Sequence, residues 1–160
     1  MNIFDFAMQM ESDGEAYYRQ LADKCAVPGL KRILNLLADD EVGHYNTFKH
    51  LKEGTPTDIQ GSEILNNAKN VFMGMKADQG FDTTGSEIEM YNKAIEIEKK
   101  SEDFYREKAE EVNNPAARAI LLKIAEDERR HQFLLTNTKE FLARPLKWVE
   151  NAEFHHLDDY

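Results

Sequence analysis

The 160-residue chain carries 30 acidic and 20 basic side chains, a formal charge of −10, and 41% of its residues are hydrophobic. This negative balance argues against nucleic acid and anionic membranes as partners, because both require clustered lysine and arginine. The length predicts one domain, residues 1–160, and no apolar run is long enough to span a bilayer. The N-terminus lacks the pattern of a secretory signal, and the single cysteine, Cys25, excludes an internal disulfide, so we expect a cytoplasmic protein.

Four stretches place apolar residues three or four positions apart, which predicts four amphipathic helices. They form two helical hairpins, at about residues 1–54 and 86–143. Pro28 and the pair Asn114–Pro115 mark the starts of the second and fourth helices, since proline suits a first helical turn and asparagine caps it. The sequence from Ser86 to Glu89 has the form of a capping box and opens the third helix.

A long connection, residues 55–85, separates the hairpins. Turn-like sequences at 55–57 and 80–85 flank a short helix that we predict for about residues 62–76. Two hairpins joined by one such crossover predict an all-α four-helix bundle. The tail, residues 144–160, contains Trp148, Phe154 and Leu157 and is expected to pack back on the bundle.

The two halves of the chain repeat each other at an offset of 87 residues without a gap. Each half carries a glutamate and, thirty positions later, a Glu-x-x-His motif: Glu11, Glu41 and His44 in the first half, and Glu98, Glu128 and His131 in the second. In a helix this motif puts its two side chains on one face, about a turn apart. All six interrupt apolar seams in phase with Leu and Phe, which disfavours the alternative that they are solvated surface charges.

A buried, unpaired carboxylate is costly, and it takes up a proton or binds a cation. Four carboxylates balance two divalent cations when both histidines are neutral. Oxygen-rich ligands with one imidazole per metal favour iron or manganese over a closed structural zinc site. Paired Glu-x-x-His helices with a glutamate on each of the other two helices are a known pattern of ferritin-like di-iron and di-manganese bundles.

On these residues the chain resembles the ferritin-like superfamily, and within it the rubrerythrin group, over roughly residues 1–142. The seven-residue spacings from Glu11 to Tyr18 and from Glu98 to Tyr105 add to the likeness. The resemblance implies three pairs of roles: bridging carboxylates at Glu41 and Glu128, terminal carboxylates at Glu11 and Glu98, and one metal each for His44 and His131. It also implies that Tyr18 and Tyr105 hydrogen-bond near the ligands, although both tyrosines also suit an ordinary core.

Two features depart from the rubrerythrin pattern. The chain lacks the rubredoxin-like iron–thiolate domain with its Cys-x-x-Cys motifs, since it has a single cysteine. Ser101 stands where these proteins usually carry a further glutamate, three residues after the third-helix ligand. The resemblance therefore does not extend to electron delivery by a domain of that kind, nor to redox-linked ligand exchange at Ser101.

The resemblance implies a non-haem di-iron oxidoreductase that reacts with hydrogen peroxide or dioxygen. Its cofactor would be two iron ions, with manganese or zinc possible at the same ligands, and its electrons would come from an external donor such as a rubredoxin. We expect a homo-oligomer, with a dimer favoured. Two alternatives stay open: a ferroxidase or iron-storage protein of the ferritin type, which needs a hollow shell, and a metal-free helical bundle that acts as an interaction scaffold.

Other residues with ligand-type side chains lie outside this set of six. Glu15 and Glu102 repeat at the same offset and are possible further ligands, but Glu15 lies on a more polar strip. Cys25 is interpreted as a small apolar filler at a helix end. His155 and His156 in the tail are an unfavoured candidate for an extra metal site.

Overall fold

The computed structural model describes residues 2–75, 85–143 and 157–160. These residues form five α-helices and no strand: α1 (Ile3–Lys24), α2 (Pro28–Glu53), α3 (Ile64–Met73), α4 (Gly85–Glu111) and α5 (Pro115–Ala143). The predicted all-α, ferritin-like bundle is confirmed. Within the described ranges, none of the helices has the length and apolar character needed to cross a bilayer.

The long helices pair as two hairpins. Helix α1 packs along α2, and α4 packs along α5, while α3 belongs to the crossover and contacts α2 and α5. Helix α3 is shorter than the predicted 62–76, and residues 76–84 lie outside the described part of the chain. That residues 1–160 form a single domain stays a prediction.

Local signals place the helix ends. The Asn114 side-chain oxygen accepts hydrogen bonds from the backbone N–H groups of Ala116 and Ala117 at 2.9 and 3.2 Å, as expected of an N-cap. Pro28 is the first residue of α2, and Gly54 closes that helix in the left-handed region at φ +73°. Helix α4 already includes Gly85, one residue before the predicted start at Ser86.

Two apolar clusters fill the bundle, and a polar layer separates them along every long helix. The larger cluster includes Leu34, Phe72 and Phe141, and the smaller includes Phe48 and Leu121. On α2, for example, the larger cluster ends at Ala38 and the smaller resumes at Phe48. The six repeated glutamates and histidines occupy the gap, so close-packed side chains hold them from both ends.

The end of the tail contacts the bundle. Leu157 is buried in the larger cluster, and the Tyr160 hydroxyl donates a hydrogen bond to the Glu126 carboxylate on α5. Trp148, Phe154, His155 and His156 lie outside the described residues. Cys25 is half-buried after α1 and packs against the larger cluster, which fits its interpretation as a filler.

Candidate metal centre

The six repeated side chains meet at one place inside the bundle. Each is at most 3% exposed: Glu11 on α1, Glu41 and His44 on α2, Glu98 on α4, and Glu128 and His131 on α5. All four long helices therefore contribute, and each hairpin supplies two glutamates and one histidine. The arrangement brings together all six of the repeated glutamates and histidines that were predicted as metal ligands.

The side chains form two overlapping groups whose ligand atoms lie within 4.8 Å of one another. The first group is Glu11, Glu41, His44 and Glu128, and the second is Glu41, Glu98, Glu128 and His131. Glu41 and Glu128 belong to both groups. A carboxylate with two oxygens can serve two cations, so the geometry suits two adjacent ions that share these two glutamates.

Both imidazole rings turn Nδ1 towards the carboxylates. His44 Nδ1 lies 3.4 Å from Glu11 Oε2 and 3.2 Å from Glu128 Oε1. His131 Nδ1 lies 3.2 Å from both Glu41 Oε1 and Glu98 Oε1. The ring centroids are 5.9 Å apart. The inward nitrogen of each ring is thus placed to bind a cation held among the oxygens.

Several buried atoms of this cluster have no hydrogen-bond partner among the described residues. They are Glu11 Oε2, Glu41 Oε1, Glu98 Oε2, Glu128 Oε1 and His44 Nδ1. An unpaired buried carboxylate oxygen is strongly destabilising unless a cation or a proton neutralises it. The donor set therefore fits divalent metal ions, and oxygen-rich ligands with one imidazole each suit iron or manganese.

The pKa shifts of the clustered glutamates also fit a site for metal ions. Burial raises the pKa of Glu41 and Glu128 well above the ordinary value, and the charges of the neighbouring glutamates raise it further. Burial acts in the same direction on Glu98, but the adjacent His131, with hydrogen bonds to Glu128 and Tyr18, outweighs it and lowers the pKa of Glu98. Without cations, protons would therefore collect on the two shared carboxylates.

The sequence model of the family described as Rubrerythrin matches residues 2–139. The chain belongs to the rubrerythrin family. The match covers α1 to α4 and nearly all of α5, and so includes the whole carboxylate–histidine cluster. Comparisons with curated proteins and with solved structures gave no match. Family and cluster together indicate a di-iron carboxylate type of protein with a site that fits metal ions, iron first among them.

In this rubrerythrin-family chain, an aspartate from the opposite hairpin supports each histidine. His44 Nε2 lies 2.9 Å from Asp127 Oδ2, and His131 Nε2 lies 2.8 Å from Asp40 Oδ2. Such a bond orients the ring and strengthens its other nitrogen as a metal ligand. Sequence reasoning missed this role, although Asp40 and Asp127 repeat at the 87-residue offset directly before each Glu-x-x-His motif.

The two predicted tyrosines also cross between the hairpins. The Tyr105 hydroxyl donates to Glu11 Oε1 at 2.8 Å, and the Tyr18 hydroxyl donates to Glu98 Oε1. Burial raises the pKa of both phenols well above the ordinary value, and the nearby carboxylates add to the effect. Both hydroxyls therefore stay protonated beside the terminal glutamates.

Glu15 and Glu102 belong to neither group of ligand atoms. Glu15 forms an ion pair with Arg19 at 3.2 Å. Glu102 accepts hydrogen bonds from Gln132 and Arg106, both at 2.8 Å. The structure therefore gives these two glutamates partners outside the cluster.

Gly14 allows Glu41 to reach the centre, which leads to a first testable prediction. A Cβ atom at this position would stand 2.8 Å from Glu41 Oε2, too close for a real contact. We expect Gly14→Ala to displace the shared carboxylate and to weaken metal binding by about 10- to 100-fold, the range seen when ligand orientation is disturbed. A titration with Co²⁺, followed by its visible absorbance, measures the change.

Gly43→Ala is the matched control for that prediction. Gly43 lies in α2, and a Cβ atom there would meet nothing within 4 Å. This variant should keep its affinity for Co²⁺ and gain about 0.5–1 kcal/mol of unfolding free energy, because alanine favours the helix more than glycine does. Equal Co²⁺ affinity in the two variants would show that close approach at Gly14 is unimportant.

Proposed function

We propose that this chain is a non-haem di-iron oxidoreductase that reduces hydrogen peroxide or reacts with dioxygen. The observation that supports it most directly is the pair of overlapping ligand groups that share Glu41 and Glu128. The proposed ligands are the six clustered residues: Glu11, Glu41, His44, Glu98, Glu128 and His131. In a metal-free scaffold, bound protons alone would have to neutralise the unpaired buried oxygens of this cluster.

Two adjacent iron ions would supply two electrons and Lewis acidity to a peroxide O–O bond. Reduction of hydrogen peroxide to two water molecules takes two electrons and two protons. Tyr18 and Tyr105 hold protons at hydroxyl groups that already donate to Glu98 and Glu11. We propose that these hydroxyls stabilise the terminal carboxylates and help to supply protons near the reacting oxygen atoms.

A cavity of about 390 Å³ connects the carboxylates with the surface between α1 and α4. Glu41, Glu98 and Glu128 line its inner end. Its walls include the small residues Gly14 and Ser101, which leave the space open. We propose that the oxidant enters by this route, because the two apolar clusters close the bundle on both sides of the polar layer.

The proposal is tested by anaerobic loading with ferrous iron and rapid mixing with hydrogen peroxide. We expect about one peroxide to be consumed per pair of iron ions, with an absorbance change from ferric iron bound to carboxylates. Bound iron that is oxidised no faster than free ferrous iron in the same buffer would contradict the proposed activity.

A variant pair tests the route of entry. Ser101→Leu fills the wall of the cavity and should slow oxidation by more than it weakens Co²⁺ binding, because it narrows the access route without removing a proposed ligand. Ser12→Leu makes the same change on an exposed face of α1 that does not line the cavity. The idea fails if both variants are oxidised at the wild-type rate.

The proposal also includes an electron donor and an assembly. We propose that an electron donor such as a rubredoxin restores the ferrous state, since the single cysteine in these 160 residues cannot form an iron–thiolate centre. A dimer and a cytoplasmic location stay predictions. Sizing of the iron-loaded protein separates a dimer from a shell of many subunits with a mineral core, which would favour iron storage.

A further inference from the structure

We infer that the two metal positions are unequal although their ligands are duplicated, and that Arg130 makes them so. The position served by His131 is expected to bind its ion more tightly than the position served by His44. The inference rests on the proposed metal function, and it concerns residues of this chain that stand behind the two histidines.

The inner parts of the two positions match closely. Each has one glutamate that accepts a hydrogen bond from a tyrosine of the other half, and both include the carboxylates of Glu41 and Glu128. Each histidine also donates from Nε2 to an aspartate at a similar distance, 2.9 Å to Asp127 and 2.8 Å to Asp40. The clearest difference between the positions lies in the groups around the two aspartates.

The surroundings of Asp127 include a cation. Its Oδ1 atom lies 2.9 Å from Arg130 Nη1 and 2.8 Å from the backbone N of Ser62. The Asp127 side chain is only 2% exposed, so water screens this ion pair little. His44 thus donates to a carboxylate whose negative charge is already balanced by a guanidinium group.

The surroundings of Asp40, unlike those of Asp127, include no cationic side chain among the described residues that forms an ion pair with it other than His131. Its second hydrogen bond comes from the Ser62 hydroxyl, and none of the described lysines and arginines forms an ion pair with it. The Asp40 side chain is 27% exposed, so water reduces its field without cancelling its charge. His131 therefore donates to a carboxylate that keeps its net charge and accepts the proton more strongly.

The repeat explains why the asymmetry exists. At the 87-residue offset, the counterpart of Arg130 is Gly43, which has no side chain to pair with Asp40. Ser62 belongs to the crossover, which occurs once, so it offers its N–H to one aspartate and its hydroxyl to the other.

The consequence is a stronger ligand at one position. A hydrogen bond to a more basic carboxylate raises the electron donation of the histidine, and such supporting bonds change metal affinity by about 10- to 100-fold. The His131 position should bind first, and the two affinities should differ by about tenfold. A Co²⁺ titration of the full chain should show two steps, with sub-stoichiometric cobalt located beside His131 by anomalous scattering.

Three variants test whether the ion pair between Arg130 and Asp127, rather than the net charge of the protein, makes the two affinities differ. Arg130→Gln should strengthen the weaker step and bring the two affinities within about threefold, since the acceptor Asp127 regains its charge. Arg129→Gln removes the same charge from an exposed neighbour and should leave both steps unchanged. Gly43→Arg places a guanidinium three residues after Asp40, the same spacing as Arg130 to Asp127, and should weaken the tighter step.

The outcomes distinguish this inference from the proposed function. Binding of two Co²⁺ ions in one step of equal affinity, or filling of the His44 position first, overturns this inference but not the di-metal centre. Equal effects of Arg130→Gln and Arg129→Gln also overturn it. Failure to bind two ions at all contradicts both proposals. Circular dichroism and urea unfolding of each metal-free variant check that the fold is intact.

Discussion

Replacement of Glu128 by glutamine is expected to abolish stable binding of both metal ions. Glu128 belongs to both groups of ligand atoms, so its loss removes an oxygen ligand from each position at once. Glutamine keeps the shape of the side chain, but a neutral amide cannot replace a bridging carboxylate. Metal analysis should fall from two ions per chain to fewer than one under conditions that saturate the wild type, and peroxide-dependent oxidation should be lost.

The effect on stability separates a ligand from a merely structural residue. Metal that binds only the native state at a concentration of 100 Kd stabilises it by about 2.7 kcal/mol per site. Glu128→Gln should lose this gain, yet its metal-free form should unfold at no lower urea concentration than metal-free wild type, because glutamine needs neither a buried charge nor an extra bound proton. Urea titrations with and without Co²⁺ measure the stabilisation by metal and the stability of the metal-free protein.

Glu102→Gln is the matched control for this experiment. Glu102 lies on α4 one turn beyond Glu98, but it is paired with Arg106 and Gln132 outside the cluster. It should retain two ions per chain and wild-type peroxide reactivity. The assignment of Glu128 as a shared ligand would be wrong if Glu128→Gln and Glu102→Gln behaved alike.

The stability of the protein should depend on pH in opposite directions with and without metal. In the metal-free protein, burial and neighbouring carboxylates raise the pKa of Glu41 and Glu128. Burial alone would lower the pKa of His44 and His131, but the surrounding carboxylates raise it instead. A group with a raised native pKa binds its proton more tightly when folded, so its stabilisation is lost as pH rises.

The directions of these pKa shifts define the pH range in which the metal-free protein loses stability. The glutamates begin to lose their contribution above the unfolded value of about 4.3, and the histidines above about 6.5. The free energy of unfolding of the metal-free protein should therefore fall between about pH 5 and 8, by up to ~1.4 kcal/mol per pH unit for each excess proton. Below pH 5, the free energy of unfolding should instead fall as the pH falls, because the pKa values of Glu98 and Asp40 are lowered in the native state.

Metal binding should invert the slope between pH 5 and 8. The ligands must be deprotonated to bind, so affinity and the stabilisation it provides rise with pH. Urea unfolding at several pH values, in EDTA and in excess Mn²⁺, gives the two profiles. His50→Gln, at an exposed position on α2, should leave both profiles unchanged. Parallel profiles in EDTA and Mn²⁺ would contradict the cluster as a metal site.

Local rules were sufficient for the helices and for the identity of the cluster. Apolar periodicity placed the four long helices, and the Asn114 cap and Pro28 marked helix starts within the chain. The 87-residue repeat singled out the six residues because charged side chains in phase with a buried seam require partners. These predictions do not depend on which helices are neighbours in the folded protein.

The start of α3 shows where local rules stop. Ser62 was expected inside this helix, but the helix begins at Ile64. The Ser62 N–H and hydroxyl bind Asp127 and Asp40, and its Oγ accepts a hydrogen bond from Ile64 N at 3.1 Å. These tertiary partners hold the residue just before the first turn, and no pattern within the crossover predicts them.

By itself, then, the sequence determined the helices, the repeat and the six side chains that share a buried layer. Only the tertiary structure decided that each aspartate supports the histidine of the opposite hairpin, that Gly14 lets Glu41 reach the centre, and that a cavity opens beside Ser101. Helical spacing depends on the chain near each residue and shows which face is buried. Contacts across the bundle depend on how one hairpin packs against the other. Residues that are far apart in the chain determine this packing jointly.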